Sequence, residues 1–328
     1  MFNIFLTRSV PVEGVKLLKH DQRLKLEIYE HDKPIPRREL LRRVKGKNII
    51  ISILTDKIDK EVFDAAGASL KMIANYAVGF DNIDLPEAKK RGIVVTNAAH
   101  TQVSESVAEH TIALMFALAH RIVESDHYTR SGKYHGWEPQ LLLGSDVMGK
   151  TLGLVGTGNI GMMVARRLWD GFGLKILYTD VKRNTVAEKT FGAKYRTLQA
   201  LLKESDFVSL HVPLLPATHH LISDAQFKLM KPTAFLINTA RGPIVDSEAL
   251  VRALKTKRIA GVALDVYEEE PGFAKRAQDA TYLQHAWNAI LTPHTASATI
   301  ETRQAMSRVC AQNILAFISG KRPPNQVD

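Results

Sequence analysis

The chain has little that would tie it to a secreted, membrane or nucleic-acid-binding role. It holds one cysteine, Cys310, so no internal disulfide is possible, and that count fits a reducing, cytoplasmic setting. No apolar run approaches the roughly 18 residues of a membrane span. The apolar start, Met1 to Leu6, is too short for a signal-peptide core and has no basic segment before it; it reads as a first strand. There is no short internal repeat, no low-complexity tract, no zinc-finger spacing or other metal-ligand motif, and no interleaving of basic and aromatic residues. Acidic residues are in deficit, 34 against 44 Lys and Arg, which leaves a formal charge of +10. The surplus is scattered, with only short clusters such as Pro36-Arg37-Arg38 and Lys89-Lys90-Arg91. It reads as a solvated basic surface that attracts anionic metabolites and cofactors, with no nucleic-acid partner expected.

What remains is an ordinary globular composition. The 328 residues are 45% hydrophobic and 24% charged, with a mean hydropathy of −0.10. That is enough to bury two domain cores. Strand-like runs at 2–7, 24–30, 48–54, 71–75 and 92–95 alternate with amphipathic segments near 11–20, 36–45, 58–66 and 84–90. A long helical stretch spans about 101–130, and a Gly- and Pro-containing loop, 131–139, ends it. A second series has strands at 151–156, 174–179, 206–210, 233–238, 260–264 and 289–292, and a helix over about 297–319 closes the chain. Such alternation predicts two doubly wound α/β domains with parallel sheets. The expected organisation is discontinuous: 1–98 with 296–328 as one domain and 99–295 inserted as the other.

The second series opens on a cofactor signature. Leu152 to Val155 is an apolar strand, and Gly156, Gly158 and Gly161 follow in the spacing G-x-G-x-x-G. The first glycine permits a tight turn, the second lets a pyrophosphate approach the backbone, and the third lets helix and strand pack closely. The helix start at Asn159 and Ile160 then offers unpaired N–H groups to the phosphates. Nineteen residues beyond Gly161 the next strand ends at Asp180, where an acid binds the adenosine ribose hydroxyls. Asp180 favours NAD, since its charge repels a 2′-phosphate. Lys182 and Arg183 soften that preference if they pair with the phosphate, and are plain loop charge if they do not. NADH is therefore expected to be preferred, with NADPH use open.

Three polar segments follow apolar runs of the same unit: Asn238 to Gly242, Asp265 to Pro271 and Thr292 to Ser297. In parallel α/β sheets such strand ends line the ligand crevice. Together they supply what reduction of a 2-oxo acid needs. Arg241 can hold a carboxylate and polarise a carbonyl. His294 can give a proton to the carbonyl oxygen. Glu270 can hydrogen-bond His294 and favour its protonated form. Asp265 can accept from the nicotinamide carboxamide. Read singly, Arg241 is a surface ion-pair partner, His294 a turn residue after Pro293, and Glu270 one member of a solvated acidic run. Their joint presence after a dinucleotide signature favours the reactive reading.

These segments resemble the D-isomer-specific 2-hydroxyacid dehydrogenases over nearly the whole chain. The likeness rests on Val78 to Asp84, Ser106 to His110, Gly156 to Gly161, His211-Val212-Pro213, Ala240 to Asp246, Asp265 to Pro271, and Thr292-Pro293-His294. It implies a Rossmann nucleotide domain inserted into a flavodoxin-like substrate domain, and two lobes that close over the substrate. It implies Arg241, Glu270 and His294 as the catalytic trio, cofactor contacts from His211, Pro213, Thr239, Ala240 and Ser297 as well, and backbone N–H groups near Val78 and Gly79 on the substrate carboxylate. A homodimer built through the nucleotide domains and the helix after residue 100 is implied too. Within the family the chain looks most like glyoxylate/hydroxypyruvate reductases, on the loop Gly136-Trp137-Glu138-Pro139 and the run Leu143 to Gly153. The likeness makes Trp137 a candidate to reach the neighbouring subunit's pocket, against plain interface packing. Phosphite dehydrogenase shares the loop style but places a lysine where this chain has Val78. The 3-phosphoglycerate and D-lactate dehydrogenases share the scaffold, and a nucleotide-sensing regulator is the alternative outside enzymology.

Overall fold

The computed structural model describes residues 1–270 and 276–327. Pro271, the end of one quoted segment, lies outside the described residues. The chain divides into two compact units, Met1–Val103 with Ala298–Asp328, and Ser104–Ser297. One division falls inside the Thr101–Ala119 helix, the other just ahead of the Ile300–Ile318 helix.

In the first unit, strands β1 (Phe2–Leu6), β2 (Leu24–Ile28), β3 (Ile49–Ile53), β4 (Met72–Tyr76) and β5 (Val94–Thr96) form a parallel sheet in the order β2-β1-β3-β4-β5, the flavodoxin-like winding. The central strands β3 and β4 are buried almost throughout because both faces are covered, whereas the edge strand β2 carries Lys25 and Glu27 and is less buried. One face carries Phe5, Ile50, Ile73 and Val95 among Val62, Phe63 and Leu40. The other carries Ile4, Ile51 and Met72 against Val15, Leu18 and Ile314. The C-terminal helix Ile300–Ile318 thus belongs to this unit. It lies so close to the Val12–His20 helix that a Cβ on Gly14 would meet the Ser307 carbonyl oxygen at 2.0 Å. Ser307 Oγ accepts from Gly14 N at 3.0 Å and donates to the Pro11 carbonyl at 2.6 Å.

The second unit holds seven strands: β6 (Thr151–Val155), β7 (Lys175–Thr179), β8 (Lys194–Tyr195), β9 (Phe207–Leu210), β10 (Phe235–Asn238), β11 (Gly261–Leu264) and β12 (Ala289–Leu291). Their order is β12-β11-β10-β9-β6-β7-β8, all parallel. Counted from β6, this is the Rossmann order 3-2-1-4-5-6 with one strand added, and the winding reverses between β6 and β9.

Two details depart from the sequence reading. The stretch 101–130 is two helices, Thr101–Ala119 and Ile122–Arg130, because Arg121 takes a left-handed backbone (φ 52°) and turns its guanidinium onto Glu124. Two short strands are new: β8, and β13 (Gln326–Val327), which pairs antiparallel with β5. Two residues are too few to carry a periodicity.

Candidate active site

The site lies at the carboxyl ends of the second unit's strands. At the reversal point β6 runs into Gly156, whose φ of 95° favours glycine. A Cβ there would meet the His211 carbonyl oxygen at 2.6 Å, so the glycine lets the two diverging chains touch. A Cβ on Gly161 would meet the Gly156 carbonyl oxygen at 2.5 Å, so the Asn159–Phe172 helix starts directly on the turn. Gly158 has nothing within 4 Å of its would-be Cβ. That open space beside the start of a 14-residue helix is the room a pyrophosphate needs. Asp180 follows β7. Its Oδ2 accepts from Thr157 N (2.7 Å) and Thr157 Oγ1 (2.8 Å), and its Oδ1 from Val181 N (2.7 Å). Burial raises this carboxyl's pKa, but those donors outweigh it and hold the group below the usual range. The carboxylate is thus charged and fixed to the glycine turn. Arg183 is committed to Glu188 at 2.9 Å. The residues present fit a nicotinamide dinucleotide.

His211 follows β9, and its Nε2 meets Ser209 Oγ at 2.9 Å. Burial pushes the imidazole down to about 4, so it is neutral at physiological pH. Pro213, two residues on, is exposed, and its carbonyl accepts from Thr218 Oγ1 at 2.6 Å.

Strand β10 delivers Thr239, Ala240 and Arg241. Asn238, fully buried at the strand end, grips this turn with both ends of its amide: Oδ1 accepts from Ala240 N (3.0 Å) and Nδ2 donates to the Arg241 carbonyl (2.9 Å). Thr239 Oγ1 meets Thr111 Oγ1 at 2.9 Å. A Cβ on Gly242 would fall 1.8 Å from the Tyr267 carbonyl oxygen. Glycine there lets the Arg241 segment lie directly against the segment after β11, which carries Glu270. Glu268 ties the same segments from behind, accepting from Ser247 N (3.0 Å) and Oγ (2.6 Å) and facing His220 Nε2 (2.7 Å).

Strand β12 delivers His294. Its Nδ1 lies 3.0 Å from Glu270 Oε2, and its Nε2 makes no hydrogen bond among the described residues. Glu270 Oε1 accepts from Tyr267 N at 3.1 Å. Burial works to raise the Glu270 pKa. The His294 hydrogen bond and charge, the Tyr267 N–H and the Arg241 charge outweigh it and hold the carboxyl below its ordinary value. Arg241, Glu270 and His294 therefore share one electrostatic neighbourhood.

His294 has a left-handed backbone, φ 56°, which a non-glycine residue keeps only when its surroundings dictate it. Asp265 dictates it. This fully buried carboxylate accepts from Thr292 Oγ1 (2.6 Å), Thr295 N (2.8 Å) and Ala296 N (2.8 Å), the residues on either side. Asp265, expected to accept from the nicotinamide carboxamide, also fixes the His294 loop, and three close donors leave acceptor capacity on its two oxygens. Ser297, partly buried, ends that loop. The helix after residue 100 braces it: Ser106 Oγ donates to the Ala296 carbonyl at 3.0 Å, and His110 Nε2 lies 3.2 Å from Thr292 Oγ1.

Sequence reading quoted the segments that hold Asn238, Gly242, Glu268 and His110 but gave none of the four a role of its own. An asparagine closing an apolar strand and a glycine after a reactive arginine were the available signals. Elsewhere, Trp137 is 84% exposed. Val78 and Gly79 lie on the bend that follows β4 in the first unit. No His/Cys/Asp/Glu cluster of metal-binding kind occurs among the described residues, and no helix among them is long and apolar enough to cross a membrane.

The chain is similar to known proteins along its whole length. Residues 112–296 match the model of the D-isomer specific 2-hydroxyacid dehydrogenase NAD binding domain. Glyoxylate reductase of Pyrococcus furiosus is 44% identical over 99% of this chain and 95% of its own. Glyoxylate reductase of Korarchaeum cryptofilum is 46% identical, with coverage of 99% and 95%. The crystal structure of a glyoxylate reductase from Paecilomyes thermophila superposes with a TM-score of 0.86 at 30% identity, over 99% of this chain and 98% of that one. With that likeness running end to end, the chain belongs to the D-isomer specific 2-hydroxyacid dehydrogenases, a family of nicotinamide-dependent oxidoreductases.

Proposed function

We propose that this enzyme reduces glyoxylate, and hydroxypyruvate as a close homologue, to the 2-hydroxy acid, with NADH preferred. The observation that carries the reading is the Glu270–His294 pair at 3.0 Å, within reach of the Arg241 charge, at the end of a dinucleotide-binding sheet. The substrate choice is supported by the full-length likeness to proteins named glyoxylate reductase. Gly156, Gly158, Asn159, Ile160 and Asp180 would hold the cofactor, with His211, Pro213, Thr239, Ala240, Asp265 and Ser297 around it. When bound, a reduced nicotinamide supplies the hydride. Arg241 holds the substrate carboxylate and polarises the carbonyl through its planar fork. Backbone N–H groups of the Val78–Gly79 turn give that carboxylate a second hold. His294, oriented through Nδ1 by Glu270, delivers a proton from Nε2 to the carbonyl oxygen. Asp180 disfavours a 2′-phosphate, and Arg183 is already paired, which leaves Lys182 as the nearby cation for NADPH.

A homodimer built on the second unit completes the proposal. Ile122, Val123, Trp137, Leu143, Met148 and Trp287 are each more than half exposed. Val123, Leu143 and Trp287 line an open, largely apolar cavity of about 520 Å³ at the amino ends of β10–β12, the opposite end from His294. Large apolar side chains left exposed on one unit support such an interface. Trp137 is then buried against the partner. The lone Cys310, whose thiol burial pushes up to about 12, suits a cytoplasmic protein.

The test is NADH and NADPH oxidation with glyoxylate, hydroxypyruvate, pyruvate and longer 2-oxo acids, with phosphite plus oxidised cofactor as control. Fastest turnover per KM on glyoxylate or hydroxypyruvate with NADH is expected. Tight NADH binding without turnover of any 2-oxo acid would make the protein a sensor instead.

A further inference from the structure

The first unit buries an amide network near the carboxyl ends of its two central strands. Ser52 on β3 and Asn75 on β4 are register partners, and neither has any exposed surface. A buried amide costs free energy unless each of its polar atoms is paired. Asn75 is fully paired. Its Oδ1 accepts from Ser52 Oγ (2.8 Å) and Asn82 Nδ2 (3.3 Å), and its Nδ2 donates to Asn82 Oδ1 (3.1 Å) and the Gly79 carbonyl (2.9 Å). Asn82 is itself anchored on the carbonyls of Ile53 (3.2 Å) and Asp56 (3.0 Å). Apolar side chains would fill this interior at least as stably, so the network needs a reason beyond packing.

The reason lies in what it grips. Asn75 pins the Gly79 carbonyl, and Asn97 Nδ2 pins the preceding carbonyl, Val78, at 2.9 Å. In a trans peptide the next N–H points opposite the carbonyl. Fixing these two oxygens therefore fixes the N–H groups of Gly79 and Phe80, aimed away from the two asparagines. Neither N–H has a partner among the described residues. The turn is open: Val78 is 39% and Phe80 37% exposed. Two successive, immobilised, unpaired N–H groups form a receptor for a carboxylate oxygen.

We infer that Asn75 and Asn97 are positioning residues for the 2-oxo acid's carboxylate, holding the Val78–Phe80 turn with its N–H groups presented to that anion. The inference rests on the proposal that this turn takes the substrate carboxylate. Neither asparagine touches substrate; each acts through the peptide it pins.

The test compares glyoxylate with its neutral methyl ester as hydride acceptors in wild type, Asn75→Ala and Asn97→Ala, alongside NADH affinity by fluorescence. A hydrogen bond to a charged group is commonly worth tenfold or more in affinity. Each variant should raise the KM for glyoxylate at least tenfold with kcat within about threefold, leave NADH affinity unchanged, and leave ester reduction near wild type. The wild-type preference for acid over ester should shrink accordingly. Equal losses on acid and ester would assign the amides a merely structural role, and an unchanged KM for glyoxylate would overturn the inference outright. Asn97, half-buried at a loop, carries the test alone if Asn75→Ala does not fold. A wild-type protein that reduces no 2-oxo acid defeats the proposed function itself, which is a separate result.

Discussion

Gly242→Ala tests the site's geometry with one methyl group. Its Cβ would sit 1.8 Å from the Tyr267 carbonyl oxygen, 1.9 Å from the Tyr267 carbonyl carbon and 2.5 Å from Glu268 N. Ordinary contact begins near 3.4 Å, so the two segments must part by 3.4 − 1.8 = 1.6 Å. All three obstructing atoms are backbone, so no side chain can swing aside. Tyr267 N is bonded to Glu270, and Glu270 to His294 at 3.0 Å, so displacing Tyr267 stretches the pair that orients the imidazole, or else drives Arg241 back. A misplacement of about 1 Å in a reacting group commonly costs about 100-fold in rate. Overpacking of this kind costs roughly 1–3 kcal/mol of stability. For a unit of this size that is a fall in Tm of roughly 3–10 °C. Steady-state NADH oxidation with glyoxylate, NADH binding by fluorescence and a thermal melt read the three quantities. Expected are a loss in kcat/KM of about 100-fold or more, NADH affinity within a few-fold, and the stated drop in Tm. Wild-type turnover in a folded Gly242→Ala protein would refute the claim that close approach of these two segments assembles the reactive groups.

Gly158→Ala should do the reverse. Its Cβ meets nothing, so Tm stays put, while NADH binding weakens at least tenfold because the methyl occupies the pyrophosphate's approach; unchanged NADH affinity would misplace the cofactor. His294→Ala should lower turnover by about 10²–10⁴-fold with little effect on NADH affinity, and wild-type-like turnover in that variant would reject its assignment as proton donor. Asp180→Ala should narrow the NADH over NADPH preference, and a strong NADPH preference in the wild type would contradict the reading of Asp180. His211 titrates near 4 in the fold and near 6.5 when unfolded. The unfolded chain therefore takes up the proton first as pH falls, and the enclosed histidine weakens the fold between those values by up to about 3 kcal/mol. Denaturant melts at pH 7 and 4.5 should show that loss in wild type and less of it in His211→Gln.

The candidate site was largely legible because its chemistry is local in sequence. A glycine turn with its helix, an acid one strand on, and polar residues directly after apolar strands all announce themselves through short-range constraints. The residues that escaped notice act across the fold. The role of Gly242 emerges only once its would-be Cβ is found 1.8 Å from the Tyr267 carbonyl oxygen, and Glu268 is one acid in a run of three until His220 and Ser247 arrive beside it. The split at Arg121 was hidden as well, since an arginine in a left-handed conformation leaves no mark on apolar spacing.

Alternating apolar strands and amphipathic helices suffice to specify two doubly wound sheets, because each run must bury itself on both faces of a parallel sheet and the period of burial is written in the chain. Which strands become neighbours is not written there. The order β12-β11-β10-β9-β6-β7-β8 is what sets Arg241, Glu270 and His294, more than fifty residues apart end to end, at adjacent strand ends. Tertiary packing alone decided that Asp265 would fix the His294 backbone and that Asn75 would hold a turn. Both are buried polar groups whose partners arrive from distant segments, and a hydrogen bond of that kind exists only once the chain has closed around it.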